Sequence, residues 1–181
     1  MKRAGTITER LANIEALILD VDGVLTDGSV VYTDQGAEIR RFHVRDGSAL
    51  VWWHSLGHAC AIVSGRDSPI VERRAKELGI GIVMQGISDK KAALMQLCAT
   101  LRIEPRQCAG IGDDLPDLPM LEACGVGVAV ADACRELRSA ADHVTAAPGG
   151  HGAVREAVEW ILKAQGRWET IVSRYKNGVS A

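Results

Sequence analysis

The stretch ILDVDGVLTDG, residues 18–28, decides the fold of this 181-residue chain. A short apolar run leads directly into Asp20 and Asp22, and Gly23 follows at once. A carboxylate beside an apolar core costs several kcal/mol of desolvation unless a cation or hydrogen bonds compensate for it. Two acids at the end of a buried strand therefore predict either a bound cation or a catalytic site.

Outward from this stretch, short apolar runs alternate with amphipathic segments. Strands are predicted at residues 16–21, 58–64, 81–84, 108–111, 126–129 and 142–144. Helices are predicted at residues 47–56, 69–78, 90–101, 118–124, 134–140 and 153–165. Strands separated by helices indicate an α/β fold, in which a parallel sheet carries helices on both faces. Right-handed crossovers bring the carboxyl ends of such strands to one edge, where ligands bind.

One departure from the alternation follows the acidic stretch. Residues 29–32 and 38–44 flank the turn Asp34-Gln35-Gly36 and predict a β-hairpin. Only 25 residues separate Ser64 from Lys90, and a helix and a strand are already predicted among them. That interval is too short to hold a cap domain as well.

A second acidic cluster follows another predicted strand. The segment GIGDDLPDLPM, residues 110–120, contains Asp113, Asp114 and Asp117. Acids at two neighbouring strand ends repel each other without a cation. Hard oxygen ligands favour Mg²⁺, which keeps several waters and leaves room for a phosphate. A calcium loop is the weaker interpretation, because the third acid and the closing glutamate are missing. Helix capping by single aspartates stays possible but does not explain the cluster.

Two further features suit a phosphate. In VSGRDS, residues 63–68, Ser64 and Gly65 lie between a strand and a helix, where N–H groups and a hydroxyl can bind an anion. An ordinary N-cap turn explains them equally well. Lys90 begins a helix, the end at which the helix dipole disfavours a cation. It is either a surface lysine or a phosphate contact.

Composition restricts the class of protein. The formal net charge is −2, so nothing favours nucleic acid or an anionic membrane as a partner. No apolar run reaches the length of about 18 residues that a membrane-spanning helix needs. The five cysteines form no Cys-x-x-Cys pair, which argues against a disulfide framework or a zinc site and favours the cytoplasm. We expect a single domain over residues 1–181, with a core at about 14–165 and a C-terminal tail at 166–181.

The order DVDGVLT, VSGR, Lys90, GDDLPD resembles that of the haloacid dehalogenase-like phosphohydrolases. FHVRDG (42–47), VAVADA (128–133) and GGHGAVRE (149–156) narrow the resemblance to the 3-deoxy-D-manno-octulosonate 8-phosphate phosphatases, over roughly residues 14–168. It implies a Rossmann-like, three-layer sheet with a small β-hairpin flap and no cap domain. It also implies Mg²⁺ dependence, a homotetramer, a sugar phosphate substrate and a step in lipopolysaccharide biosynthesis. One departure is His151, where this family often carries arginine.

The resemblance also implies roles for individual residues. Asp20 would attack phosphorus and form an aspartyl phosphate, and Asp22 would act as general acid and base. Mg²⁺ would be held by Asp20, Asp113 and the main-chain carbonyl of Asp22. Ser64 and Lys90 would stabilise the transferring phosphoryl group. The implied substrate contacts are Asp22, His43, Val44, Arg45, Asp46, Gly47, Gly65, Arg66, Arg74 and Lys90, with Asp114 and Asp117 in support.

Two alternatives remain at this stage. The first is a phosphatase with the same chemistry that acts on a nine-carbon ulosonic acid 9-phosphate. The second is a non-catalytic assembly subunit that keeps the fold. The intact set of Asp20, Asp22, Lys90 and Asp113 argues against the second, because a subunit without catalysis has no need of all four.

Overall fold

A parallel β-sheet forms the centre of the computed structural model, which describes residues 4–178. The strands are β1 (Ala16–Leu19), β2 (Val31–Tyr32), β3 (Glu38–Ile39), β4 (Ala59–Val63), β5 (Ile82–Met84), β6 (Cys108–Gly112), β7 (Val126–Ala129) and β8 (His143–Val144). Six of them make the main sheet, in the order β5-β4-β1-β6-β7-β8, and each neighbouring pair is parallel. The six predicted strands are confirmed within two residues at each end.

Helices cover both faces of this sheet. They are α1 (Ile7–Ala12), α2 (Val44–Ser55), α3 (Pro69–Glu77), α4 (Lys90–Leu101), α5 (Leu118–Ala123), α6 (Arg135–Ala140), α7 (Ala153–Ala164) and α8 (Trp168–Lys176). On one face the core is built with residues of α2, α3 and α7, and on the other with residues of α4 and α5. The predicted three-layer α/β fold is therefore confirmed.

Strand β1 explains why the sheet needs both layers. Leu17 and Leu19 belong to the cluster under α2 and α7, whereas Ala16 and Ile18 belong to the cluster under α4. All four are fully buried. A strand that is buried on both faces reads as a continuous apolar run, which is the pattern that precedes Asp20.

The hairpin β2–β3 forms a separate antiparallel sheet and is the flap of this structure. Its second strand ends at Ile39, so the prediction of a strand up to Val44 is wrong there. Helix α2 begins at Val44, three residues before the predicted start at Gly47. His43 has extended backbone and its carbonyl accepts from the Gly47 N–H at 3.2 Å, while Asp46 in the first turn suits the positive end of the helix dipole.

Helices α1 and α8 had no counterpart in the sequence predictions. Helix α1 carries a capping box, in which Thr6 and Glu9 each bond the other's backbone N–H, and that pattern is readable in the sequence. In α8 Ile171 is fully buried against the main core. The limits of the domain and its tail remain predictions, although α8 packs as part of the same unit.

The described chain has no cap domain between Ser64 and Lys90, where α3 and β5 account for the ordered elements. No helix within residues 4–178 combines the length and apolar character needed to cross a membrane. No disulfide joins any of the five cysteines, all of which lie within residues 4–178.

Candidate active site at the carboxyl edge of the sheet

The ends of two adjacent strands bring the acids together. Asp20 directly follows β1, and Asp113 directly follows β6. The Asp20 N–H donates to the carbonyl of Ile111 at 3.1 Å, which fixes the first loop to the second strand. Carboxylate oxygens of Asp20, Asp113 and Asp117 lie within 4.8 Å of one another. The predicted convergence of both acidic segments on one edge is therefore confirmed.

Lys90 enters this cluster from the first turn of α4. Its Nζ lies 2.7 Å from Asp20 Oδ1 and 2.5 Å from Asp117 Oδ1, and the side chain is only 4% exposed. Burial alone would lower the pKa of this ammonium, but Asp20 and Asp117 raise it above its ordinary value. The structure thus places Lys90 inside the site, where two acids favour its charged form, and not on the surface.

Asp117 ties the lysine to the second acidic loop. Its Oδ2 accepts from the N–H groups of Asp113 at 3.0 Å and of Asp114 at 3.3 Å, while Oδ1 binds Lys90. Asp117 is buried, but Asp114 is exposed at the start of a short 3₁₀ turn. Of the two residues expected to support the site, Asp117 therefore belongs to the buried cluster and Asp114 lies at its rim.

Close backbone approach explains the glycines around the acids. Gly23 has a φ of +88°, and a Cβ there would overlap Asp113 Oδ2. A Cβ on Gly149 would in turn overlap the carbonyl oxygen of Gly23. The segment around Gly149 therefore lies directly on the DVDG loop, and the Gly150 N–H donates to the Val24 carbonyl at 2.9 Å. His151 is exposed beside it and bonds the Gly149 carbonyl at 2.7 Å.

The cluster holds protons that a free carboxyl group would not hold. Burial, followed by the charges of Asp20 and Asp117, raises the pKa of Asp113 to about 8. Burial and then Asp117 raise the pKa of Asp20 to about 6, although Lys90 opposes this. When all three carboxylates are ionised, the single ammonium of Lys90 leaves a net negative charge, which a bound cation would neutralise. The donor set of carboxylate oxygens from Asp20, Asp113 and Asp117 fits a hard cation such as Mg²⁺.

We expect the affinity for Mg²⁺ to rise with pH between pH 6 and pH 8. The raised pKa of Asp113, about 8, means that Mg²⁺ must displace a proton below that pH. If one proton must be displaced, binding should weaken by about 10-fold for each pH unit below the pKa of Asp113. Isothermal titration of the metal-free protein in buffers of different ionisation enthalpy would measure both affinity and proton release. A dissociation constant that stays level over this range would contradict the expectation.

The second acid of the DVDG loop, Asp22, has a different environment. Its Oδ1 accepts from Arg40 Nη1 at 2.8 Å, and Arg66 Nη1 lies 3.9 Å from the same oxygen. Glu38 accepts from Arg40 Nη2 at 3.2 Å and from Arg66 Nη2 at 2.7 Å. Sequence reasoning missed Glu38 and Arg40, because alternating charges on a hairpin are the ordinary pattern of a solvated strand face.

The predicted phosphate loop lies at the end of β4, the strand beside β1. Ser64 is buried, and its Oγ accepts from the Arg66 N–H at 3.2 Å. Its backbone is held on both sides, since the Ser64 N–H donates to Met84 and its carbonyl accepts from Ile87. Gly65 is exposed at the turn. The Ser64 hydroxyl and the Gly65 N–H at this turn are the groups that can bind an anionic oxygen.

Three residues that are expected to contact the substrate, Asp46, Gly47 and Arg74, also have contacts within the chain. Asp46 is 1% exposed, and its carboxylate accepts from the N–H groups of Gly152 at 3.1 Å and Arg155 at 2.8 Å. It therefore caps α7. A Cβ on Gly47 would overlap Arg74, which itself bonds Glu77 at 3.1 Å. The structure thus shows packing and capping contacts for these residues, and their part in substrate binding stays a prediction.

The remaining expected contacts are accessible. His43 is about one-third exposed, and Val44 and Arg45 are exposed at the start of α2. Their part in substrate binding stays a prediction. A cavity of about 740 Å³ lies elsewhere, at the amino ends of β6 and β7 around Arg10 and Gln107, and contains none of the predicted site residues.

This site on this sheet defines a haloacid dehalogenase-like hydrolase, and the family model of that description matches residues 79–156. The 3-deoxy-D-manno-octulosonate 8-phosphate phosphatase of Haemophilus influenzae is 45% identical over 159 residues, 88% of each chain. The enzyme of that name from Escherichia coli K12 is 44% identical over 161 residues, 89% of this chain and 86% of the other. The chain belongs to the 3-deoxy-D-manno-octulosonate 8-phosphate phosphatase family.

Solved structures give the same result. The phosphatase of Moraxella catarrhalis, in complex with a magnesium ion, a phosphate ion and a KDO molecule, superposes with a TM-score of 0.91 and 43% identity. The match covers 93% of this chain and 97% of the other. The cobalt-bound phosphatase of Haemophilus influenzae has a TM-score of 0.85 and 45% identity, over 88% of this chain and 93% of the other.

Proposed function

We propose that this protein is a Mg²⁺-dependent phosphomonoesterase that hydrolyses 3-deoxy-D-manno-octulosonate 8-phosphate to the free sugar acid and phosphate. The observation that carries the proposal is the buried Asp20 carboxylate, held by Lys90 at 2.7 Å within the acidic cluster. The 45% identity to phosphatases of this name supports the choice of substrate. The step would supply the sugar acid for lipopolysaccharide biosynthesis.

In the first half-reaction Asp20 is the nucleophile. Lys90 binds its Oδ1, which orients the carboxylate and leaves Oδ2 to attack phosphorus. A bond forms between that oxygen and phosphorus, and the bond from phosphorus to the sugar oxygen breaks. Asp22 gives its proton to the departing sugar oxygen. The products are the free sugar acid and an aspartyl phosphate.

In the second half-reaction water attacks the phosphorus of the aspartyl phosphate. Asp22 takes the proton of that water, inorganic phosphate leaves and the Asp20 carboxylate is restored. The Ser64 hydroxyl and the Gly65 N–H bind phosphoryl oxygens in both steps, and Lys90 adds a fixed positive charge. Asp20, Asp113 and the main-chain carbonyl of Asp22 would hold Mg²⁺, which supplies charge neutralisation at the phosphoryl oxygens.

The substrate assignment is tested by comparing two esters. We expect kcat/KM for the eight-carbon octulosonate 8-phosphate to exceed that for a nine-carbon ulosonate 9-phosphate. A preference for the nine-carbon ester would overturn the substrate and keep the phosphatase mechanism. If the protein releases phosphate from none of the two sugar esters and an aryl phosphate, that result would instead favour a non-catalytic assembly subunit.

Arg66 is the side chain that we expect to recognise the carboxylate of the sugar acid. It follows the phosphate loop directly, is 40% exposed and is oriented by Glu38 at 2.7 Å. Its guanidinium can bind the substrate carboxylate in a bidentate pair. Arg66→Ala should lower kcat/KM for the octulosonate ester by about 1.5–3 kcal/mol, the scale of a charged hydrogen bond.

Steady-state kinetics on two substrates check this expectation. Hydrolysis of p-nitrophenyl phosphate, which has no carboxylate, should change much less in Arg66→Ala. Arg73→Ala is the matched control, because Arg73 is exposed on α3 and pairs only with Glu77 among its described salt bridges. An equal loss of kcat/KM on both substrates would count against recognition of the sugar acid by Arg66.

The assembly we propose is a homotetramer. Without a cap the site is open, and the flap β2–β3 carries four exposed apolar side chains: Val30, Val31, Tyr32 and Ile39, each 46–62% exposed. A hydrophobic flap with no partner in its own chain suits contact with another subunit.

Tyr32→Asp should weaken the assembly, because it places a charge in the proposed contact. We expect light scattering to give a tetramer for the wild type and smaller species for the variant, with lower kcat/KM for the sugar ester. Met95→Asp is the control, since Met95 is also an exposed apolar side chain, at 50%, but lies on α4. A fully active wild-type monomer would contradict the proposal.

We place the enzyme in the cytoplasm. Its five cysteines, four of them buried and none in a disulfide, suit a compartment in which thiols stay reduced. Small sugar phosphates are also intermediates of that compartment's metabolism.

A further inference from the structure

A buried arginine joins the flap to the catalytic loop. Arg40 follows β3 directly, and its side chain is only 2% exposed. Its guanidinium spans two carboxylates: Nη1 donates to Asp22 Oδ1 at 2.8 Å, and Nη2 donates to Glu38 Oε1 at 3.2 Å. An arginine without solvent contact, placed between two acids, holds both of them in one geometry.

Glu38 is the fixed end of this pair. Its Oε1 also accepts from Arg66 Nη2 at 2.7 Å, and its Oε2 accepts from Ser68 Oγ at 3.2 Å. Both of its oxygens are therefore bound to residues of the loop between β4 and α3. With one side of the Arg40 fork anchored in this way, the other side has a defined direction toward Asp22.

The contact is made to one oxygen of Asp22 alone. Among the hydrogen bonds of residues 4–178, only Oδ1 of this carboxylate has a partner. An arginine can only donate, and the carbonyl oxygen of a protonated carboxyl group is a stronger acceptor than its hydroxyl oxygen. Arg40 therefore favours Oδ1 as the carbonyl oxygen and Oδ2 as the oxygen that carries the proton when Asp22 is protonated.

We propose that Arg40 is a positioning residue for proton transfer, which selects Oδ2 of Asp22 as the atom that gives the proton to the leaving sugar oxygen. This inference rests on the proposed phosphatase function and assigns the atom that performs one of its steps. Glu38 lies in the flap and Arg40 directly follows it. The carboxyl group of Asp22 is therefore oriented as proton donor only when the flap packs against the catalytic loop. Without Arg40, the carboxylates of Asp22 and Glu38 would face each other with no guanidinium between them and repel.

The test varies the leaving group. The three substrates are octulosonate 8-phosphate, methoxyethyl phosphate and p-nitrophenyl phosphate. The first two release a basic alkoxide, which needs the proton, whereas p-nitrophenolate leaves without one. The ratio kcat/KM reports only the steps up to leaving-group departure, so later hydrolysis of the aspartyl phosphate does not affect the comparison.

For Arg40→Met we expect kcat/KM to fall about 100-fold on both alkyl esters, the lower end of general-acid contributions, and less than about 3-fold on p-nitrophenyl phosphate. For Arg40→Lys, kcat/KM on the alkyl esters should lie between the values of the wild type and of Arg40→Met, because an ammonium can donate to Asp22 but cannot span both acids. This second variant keeps the positive charge, so it carries the test if Arg40→Met does not fold. The matched control is Arg41→Met, since Arg41 is 69% exposed and pairs with Asp27; all three substrates should react as in the wild type.

Each other pattern overturns the proposal. An equal loss on all three substrates would mean a purely structural role of Arg40. A loss confined to the octulosonate ester would mean that Arg40 reads the sugar acid. A wild type that cleaves none of the three would refute the proposed function itself, which is a separate outcome.

A double-mutant cycle gives an independent readout. If Arg40 acts through Asp22, adding Arg40→Met to Asp22→Asn should change kcat/KM on methoxyethyl phosphate by less than about 3-fold, because the proton donor is already absent. Losses that multiply in the double variant would show that Arg40 acts on something other than Asp22.

Discussion

Asp20→Asn should abolish turnover of every phosphate ester. An amide cannot attack phosphorus to form an aspartyl phosphate, so the covalent route is closed for all substrates alike. We expect kcat to fall by about 10⁴-fold or more, as for other enzymes that lose their nucleophile. Asparagine has nearly the same volume as aspartate, and the backbone bond from residue 20 to Ile111 is kept.

Acid quenching during turnover of a labelled substrate measures the intermediate directly. The wild type should yield a phosphoenzyme that hydroxylamine cleaves, and Asp20→Asn should yield none. Asp34→Asn is the control, because Asp34 is exposed at the tip of the flap, and its variant should retain normal activity. Near-normal turnover by Asp20→Asn would refute covalent catalysis through an aspartyl phosphate at residue 20.

Lys90→Met should reduce both activity and stability. The ammonium is the cation bound to Asp20 and Asp117, at 2.7 and 2.5 Å, and all three side chains are buried. Removing one member of a buried ion pair leaves an uncompensated charge and typically costs about 3–5 kcal/mol of unfolding free energy. Loss of its charge beside the phosphoryl group should lower kcat about 10²- to 10³-fold.

The stability loss should depend on pH with a definite sign. At pH 8 the acids left by Lys90→Met must either ionise without their cation or hold protons far above their ordinary pKa. As pH falls toward that ordinary value, protonation becomes easier and the penalty shrinks. Urea unfolding with a chelator at pH 8 and pH 5 measures this difference.

Lys91→Met is the matched control for Lys90→Met, because Lys91 is the exposed neighbour on the same turn of α4. Its variant should differ from the wild type in neither stability nor turnover. If Lys90→Met unfolded at the wild-type urea concentration at both pH values, the ammonium would not be compensating the buried acids.

The patterns that predicted well are those whose consequences are local. The apolar run before Asp20 forms a strand buried on both faces, and α4 begins at Lys90 as its periodicity predicts. The second strand of the flap was predicted too long, because Phe42 continues the apolar pattern although it packs against the main core. Helix α1 has no counterpart among the predicted helices, although the capping box of Thr6 and Glu9 is visible in the sequence.

The sequence by itself determined the meeting of Asp20 with Asp113. Each follows an apolar strand, strands and helices alternate, and a parallel sheet must bring those strand ends to one edge. That reasoning needs only chain order and the handedness of crossovers. It identified the acidic cluster and its requirement for a cation without any knowledge of side-chain contacts, whereas the class of enzyme came from the resemblance of the motifs to a known family.

Only the tertiary structure decided which charges meet. Asp46 caps α7 through Arg155, 109 residues away, and Arg40 folds back from the flap onto Asp22. Nothing in the local pattern distinguishes Arg40 from the exposed Arg41 beside it. The physical reason is that such pairings depend on how separate elements dock, and docking is set by burial of the whole apolar surface and not by the sequence around each charge.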